Sequence, residues 1–326
     1  MKRLLFLISI LFSCCLGGCA TGLPAYHRPE SLYLQRSPYS SIHVEVDIVA
    51  GCNPGTEPLE HLREFLELHC DKPGGVSLVK KPYIPRDDAQ GVTPSQLALR
   101  NMTGPSQQSS AYIYVLFYDT GLIDNQQRFP YVLSDYPNAI FVDQANLGRS
   151  DLNTHVLLHE AGHVLGMLKR PGRRKGSHCS DPTCLMYHRV SPSSVRQNHE
   201  LALAVDPNAG PLDVHKFCPR CLEELARSRR APAGNMRWQG PALIRDEGQY
   251  WVAMLPDFIG VFIEPQTTFG IDALLLAARR DVTGDKKATV VFMPPVMSNS
   301  ARAALRAAMR DPSSRVRKSA RSAASY

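Results

Sequence analysis

Residues 42–49 alternate apolar and polar side chains: Ile42, Val44, Val46 and Ile48 against His43, Glu45 and Asp47. A period of two is that of a strand with one face buried. The next segment changes period. Leu59, Leu62, Phe65 and Leu66 fall on or near one face of a helix over 57–68, with Thr56 as its cap and Pro58 in the first turn. Residues 76–80, 111–118 and 139–142 read as further strands, separated by clusters of Gly, Pro, Asn and Asp. A second helix follows over the apolar run around 154–166, capped by Ser150 or Asp151 and stopped by Gly166. Segments 194–205 and 222–227 read as helices. Beyond Arg230, apolar and aromatic clusters over 243–263 and a strand over 288–293 predict a small mixed appendage.

The amino terminus has a different pattern. Lys2 and Arg3 precede an apolar core of nine residues, 4–12, interrupted by Ser9 and too short to span a bilayer as a helix, so the stretch reads as a secretion signal. It ends in Leu16, Gly17, Gly18 and Cys19, which resembles the lipobox of bacterial lipoproteins and implies lipidation at Cys19. Residues 1–18 are then a signal peptide and 19–41, rich in Pro, Ser and Tyr, a tether. The reading places the chain outside the cytoplasm, anchored to a bacterial membrane by lipid and facing the periplasm or the exterior. Export argues against nucleic acid as a partner. The +7 formal charge does not restore it: residues 301–326 hold seven Lys or Arg and one Asp, a balance of +6, which leaves the rest near +1. With 44% hydrophobic residues, the chain after the signal is rich enough in apolar side chains for one full core and a smaller second unit.

Chemistry concentrates in the second helix. His159, Glu160 and His163 form a His-Glu-x-x-His pattern, so both imidazoles share a helix face and reach one zinc, with Glu160 beside a water on that ion. Downstream, Cys179 and Cys184, then Cys218 and Cys221, make two close pairs suited either to a closed tetrahedral zinc or to two disulfides. Cys52 and Cys70 bracket the first helix and leave a disulfide or two free thiols open.

The order His159-Glu160-x-x-His163-x-x-Gly166, His178-Cys179-x4-Cys184-x-Met186 and Cys218-x-x-Cys221 resembles the archaemetzincin family of zinc peptidases over about 42–230. The resemblance implies an α+β, metzincin-like zincin domain, a twisted sheet plus an active-site helix, over 42–230, with an appendage of unassigned role over 231–326. It implies a catalytic zinc on His159, His163 and His178, Glu160 as general base, Met186 in a methionine turn, and a structural zinc on Cys179, Cys184, Cys218 and Cys221. Two zinc ions per chain are therefore expected, with a peptide or protein as substrate. Lys169 stands where the family pattern has its third histidine, and a protonated ammonium has no lone pair to offer. His178 and Glu200 are the candidates for that place, the latter resembling the gluzincin solution. A catalytically silent, zinc-stabilised binding module is the alternative of a different class.

Overall fold

A computed structural model of the chain describes residues 29–105, 107–121, 131–133, 136–144, 150–167, 178–187, 215–248, 250–256, 258–262, 289–292, 299–311, 316–317 and 320. The signal peptide, Cys19, Lys169, the 194–205 helix and Glu200 lie outside the described residues. Among those described, no helix is long and apolar enough to cross a membrane.

The architecture is mixed α/β. A five-stranded sheet has the order β2-β1-β3-β5-β4, built from β1 (Ser41–Ile48), β2 (Val76–Lys80), β3 (Ser110–Tyr118), β4 (Tyr131–Leu133) and β5 (Tyr136–Asp143). All of its pairings are parallel except that of β4 with β5. Parallel neighbours require crossovers, and α1 (Ser31–Leu34), α2 (Glu57–His69), α3 (Arg86–Ala89), α4 (Pro94–Asn101) and α5 (Ser150–Gly162) surround or connect the strands. The nine residues of β3 are all buried, which accounts for an unbroken run of aromatic and branched side chains without alternation.

β1 departs from expectation. Its alternation predicted a half-buried strand, yet His43, Glu45 and Asp47 are as buried as the apolar residues between them. The polar face is covered, and its charges are satisfied internally. Glu45 accepts from the Tyr112 hydroxyl at 2.9 Å, the Thr103 hydroxyl at 2.8 Å and the backbone N–H of Thr103 at 3.1 Å, and it pairs with Lys81 at 2.7 Å. Asp47 accepts from the Tyr114 hydroxyl at 2.6 Å. Tyrosines on β3 thus occupy the positions that water holds on an open sheet.

Part of that cover comes from the segment expected to be an appendage. Residues after Arg230 form a second sheet, β10-β9-β8-β7-β6, from β6 (Met236–Gln239), β7 (Ala242–Asp246), β8 (Trp251–Leu255), β9 (Phe258–Phe262) and β10 (Thr289–Phe292). Trp238 on β6 meets Tyr112 edge to face at 5.7 Å, and its backbone N–H donates to the Tyr39 hydroxyl at 2.8 Å. Met236 and Leu243 belong to the main apolar core, so the sheet is packed against the rest and not hung from it. A final helix, α7 (Asn299–Ala308), closes its outer side, with α6 (Pro219–Arg230) between the two sheets in sequence.

Three smaller corrections follow. The tether expected over 19–41 does not extend that far: Leu32, Tyr33 and Leu34 are fully buried, and the Lys72 ammonium donates to the carbonyls of Leu32 and Tyr39 at 2.6 Å each. A short aromatic and apolar cluster was enough to join the core. Thr56 precedes α2 but makes no cap hydrogen bond, because its backbone is helical (φ −88°, ψ −36°) where capping needs an extended residue. α5 begins at Ser150 itself, so that residue is inside the helix.

Two substitutions test the buried polar face of β1. Glu45→Leu removes the closer carboxylate partner of Lys81 and orphans several buried donors, and a loss of about 3–5 kcal/mol is expected in urea denaturation. Tyr114→Phe removes one bond to a carboxylate and should cost about 1.5–3 kcal/mol.

Candidate metal centre

α5 is buried all round. Leu152, Val156, Leu157, Leu158 and Ala161 are each at most 6% exposed, and so are His155 and His159. A helix with no polar outer face belongs to an interior, and its polar residues then need partners or ions. The chain continues past Gly162 in a wider π-type turn, His163–Met167, and leaves it at Gly166, whose φ of +101° is the left-handed geometry that glycine adopts readily. That places the stop where the sequence predicted it.

His159 and His163, one turn apart on the same face, are joined by His178 from beyond the 168–177 segment. Their metal-binding nitrogens all lie within 4.8 Å of one another. The ring centroids are 4.9 Å apart for His159 and His163, 5.2 Å for His159 and His178, and 5.1 Å for His163 and His178, so the imidazoles surround one point. The Nδ1 of His159 lies 2.7 Å from the Leu185 carbonyl oxygen. A carbonyl only accepts, so Nδ1 carries the proton and Nε2 keeps its lone pair. Burial holds His159 down to about 4 and His163 far below the ordinary histidine range, hence both are neutral at physiological pH. Neutral imidazoles with an oriented lone pair are the donors a zinc ion takes.

Glu160 lies between the two histidines and is 7% exposed. With no cation beside it, burial raises its carboxyl to about 8. Among the described residues burial is the cause of that shift, and a dication held by the neighbouring histidines would offset it. The donor set fits a divalent ion.

The four cysteines meet in a second cluster, with all their sulfurs within 4.8 Å of one another. Cys179 Sγ and Cys218 Sγ are 3.6 Å apart, as are Cys184 Sγ and Cys221 Sγ. A disulfide needs about 2.05 Å. Four sulfurs at about 2.3 Å from one ion lie about 3.8 Å apart along each tetrahedral edge, close to the spacing found. None of the four forms a disulfide, and neither do the buried Cys52 and Cys70. The thiol of Cys184 is pushed down by its hydrogen bond with Cys221 and by the backbone N–H of Cys218, which donates to it at 3.3 Å. Four sulfurs in a closed, tetrahedrally spaced set are the donors that a structural zinc takes.

The two clusters share a strand of chain. Cys184 contributes its sulfur to one, Leu185 contributes its carbonyl to His159 of the other, and Met186 is buried against Gly162. A Cβ at position 162 would strike Met186 Sδ and come within 3.2 Å of Phe217 Cε1. The glycine of the His-Glu-Ala-Gly-His stretch therefore leaves the space that Met186 fills. His178 and Cys179 are adjacent in sequence, so the sulfur cluster also anchors the third imidazole.

Sequence reasoning missed His155 and His215. Their Nδ1 atoms are 3.0 Å apart and both residues are buried. A signal existed for the first, since His155 extends the i, i+4 histidine row one turn upstream of His159. None existed for His215.

Gly162→Ala should cost about 1–3 kcal/mol by overpacking against Met186. Adding Met186→Ala should give a double variant that loses less than the sum of the two single losses, a coupling read from thermal or urea melts.

No protein-family model matches the chain, and no curated protein matches it. Among solved structures, the archaemetzincin of Methanopyrus kandleri is similar at 18% identity over 58% of this chain and 96% of that one, with a TM-score of 0.38. A likeness that distant adds nothing to what the geometry of the two clusters carries by itself.

Proposed function

We propose that the chain is a zinc-dependent peptidase. The observation that carries this reading is the convergence of His159, His163 and His178, the first two buried and the third half-buried, beside the buried carboxyl group of Glu160. His159, His163 and His178 hold the catalytic ion, and Cys179, Cys184, Cys218 and Cys221 hold a second, structural one. A pure metal scaffold needs the histidines but not the glutamate.

When bound, zinc polarises the scissile carbonyl and lowers the pKa of a coordinated water towards about 7. The residues of the chain do the rest. Glu160 accepts the proton of the attacking water on a carboxylate oxygen and hands it to the departing amine nitrogen. The Leu185 carbonyl keeps His159 in one tautomer throughout, and Met186 fills the space beneath the helix.

We further propose that the protein is exported and held at a membrane by lipid on Cys19, from the basic start, the short apolar core and the Leu16-Gly17-Gly18-Cys19 stretch. With α1 packed into the core from Ser31, few residues separate the anchor from the catalytic fold. Chain lengths allow at most about 3.6 Å per residue, which keeps the enzyme close to the bilayer surface.

Metal analysis of the reduced protein should give two zinc per chain, and Glu160→Gln should keep both while abolishing cleavage of a broad peptide library. A wild-type protein that binds zinc and cleaves nothing in that library would support the silent binding module instead. In a bacterial host the protein should fractionate with membranes, and Cys19→Ser should release it or leave the signal unprocessed. An unlipidated mature terminus at another residue, seen by intact mass, would reject the anchor.

A further inference from the structure

Three consecutive residues on the amino-terminal side of the Cys218 knuckle each hold a different part of the site. His215 Nδ1 is hydrogen-bonded to His155 Nδ1 at 3.0 Å. The Lys216 carbonyl accepts from the Leu185 N–H at 2.9 Å. The Phe217 ring lies 5.4 Å from that of Phe65 and abuts Gly162. Leu185 in turn accepts the Nδ1–H of His159 at 2.7 Å. The contacts close a circuit that leaves α5 at His155 and returns to it one turn later at His159, by way of His215, Lys216 and Leu185.

We infer that His155 and His215 are positioning residues for the metal centre, setting the place of the Leu185 carbonyl and through it the orientation of His159. The inference rests on the zinc reading of the three-histidine cluster. Leu185 has no regular strand or helix around it to hold its carbonyl in place. Its N–H is held by Lys216, and Lys216 is pinned on one side by a buried polar bond and on the other by a buried aromatic ring. The aromatic side resists separation but tolerates sliding, because apolar contact is not directional. Direction comes from the histidine pair, whose bond is short, buried at both ends and confined to one geometry. His155 also stacks over His159 at 6.5 Å between centroids, so the pair flanks the ligand it orients.

Two polar variants of similar size separate this role from general packing. Asparagine places its amide where Nδ1 stands on a histidine ring, and glutamine places it one bond farther, near Nε2. His155→Asn therefore keeps the bond to His215 and His155→Gln loses it. The experiment follows zinc occupancy by native mass spectrometry as a chelator is added, alongside thermal melts, with zinc itself as the probe. Wild type should hold two ions. His155→Gln should release the histidine-bound ion at about 10- to 100-fold lower chelator while the cysteine-bound ion stays, the usual scale for losing an outer-shell partner. His155→Asn should restore wild-type retention to within about threefold of that scale. If His155→Gln does not fold, His155→Leu with His215→Leu removes both members of the pair together and carries the same expectation. A folded variant of either kind that keeps the histidine-bound ion as tightly as wild type overturns the inference, as does joint loss of both ions with a lowered melting temperature. A wild-type protein that takes up only the cysteine-bound ion overturns the zinc reading itself, an outcome distinct from the other two.

Discussion

The carbonyl oxygen of Leu185 is the point on which the centre turns. An imidazole binds a metal through one nitrogen only if the other is committed elsewhere, and for His159 that commitment is a 2.7 Å hydrogen bond to this oxygen. The carbonyl belongs to a segment whose secondary structure is little more than a bridge between Cys179 and Tyr187, closing it on itself. Its rigidity is imported. Cys184 fixes one side through the sulfur cluster, Met186 fixes the other by filling the space that Gly162 leaves, and Lys216 holds the N–H between them. Three successive side-chain and backbone groups thereby couple a closed cysteine site to an open histidine site. The loss of either anchor would cost the second site its geometry before any of its own residues changed.

The sheet imposes a comparable constraint on the rest of the chain. A mostly parallel sheet has both faces to cover, and β1 brings two carboxylates to one of them. Burying Glu45 and Asp47 demands several fixed donors, and these come from β3, from the turn after α4 and from Lys81. The cover over that face is completed by Trp238 on β6, which ties the second sheet to the first. The carboxy-terminal third is thus part of the support for the sheet that carries α5. The amino-terminal segment is drawn in by the same logic, through a lysine whose ammonium is satisfied by main-chain carbonyls.

Much of the frame was legible from the chain. The strands at 76–80, 111–118 and 139–142, the helix after Thr56 and the stop at Gly166 all follow from local period and punctuation, and the observed elements coincide with them to within a few residues. β4 was not visible because three residues carry too little pattern. The burial of α1 was hidden for the same reason, four residues within a stretch whose composition reads as a linker. The misreading of β1 is more instructive. Alternation distinguishes two faces by polarity, but it does not say whether the polar face meets water or a set of tyrosines.

What the sequence determined alone are the relations that a helix or a turn enforces between near neighbours. Four residues make one turn, so His159 and His163 share a face whatever else the chain does, and Cys218 and Cys221 are brought together by the two residues between them. Tertiary structure decided everything that depends on remote segments meeting: the arrival of His178 beside the first two imidazoles, the pairing of Cys179 with Cys218 and of Cys184 with Cys221, and the bond between His155 and His215 across sixty residues. Local period carries no information about such meetings. They are selected by which buried polar groups find partners once the apolar faces have closed, and only the folded chain resolves that competition.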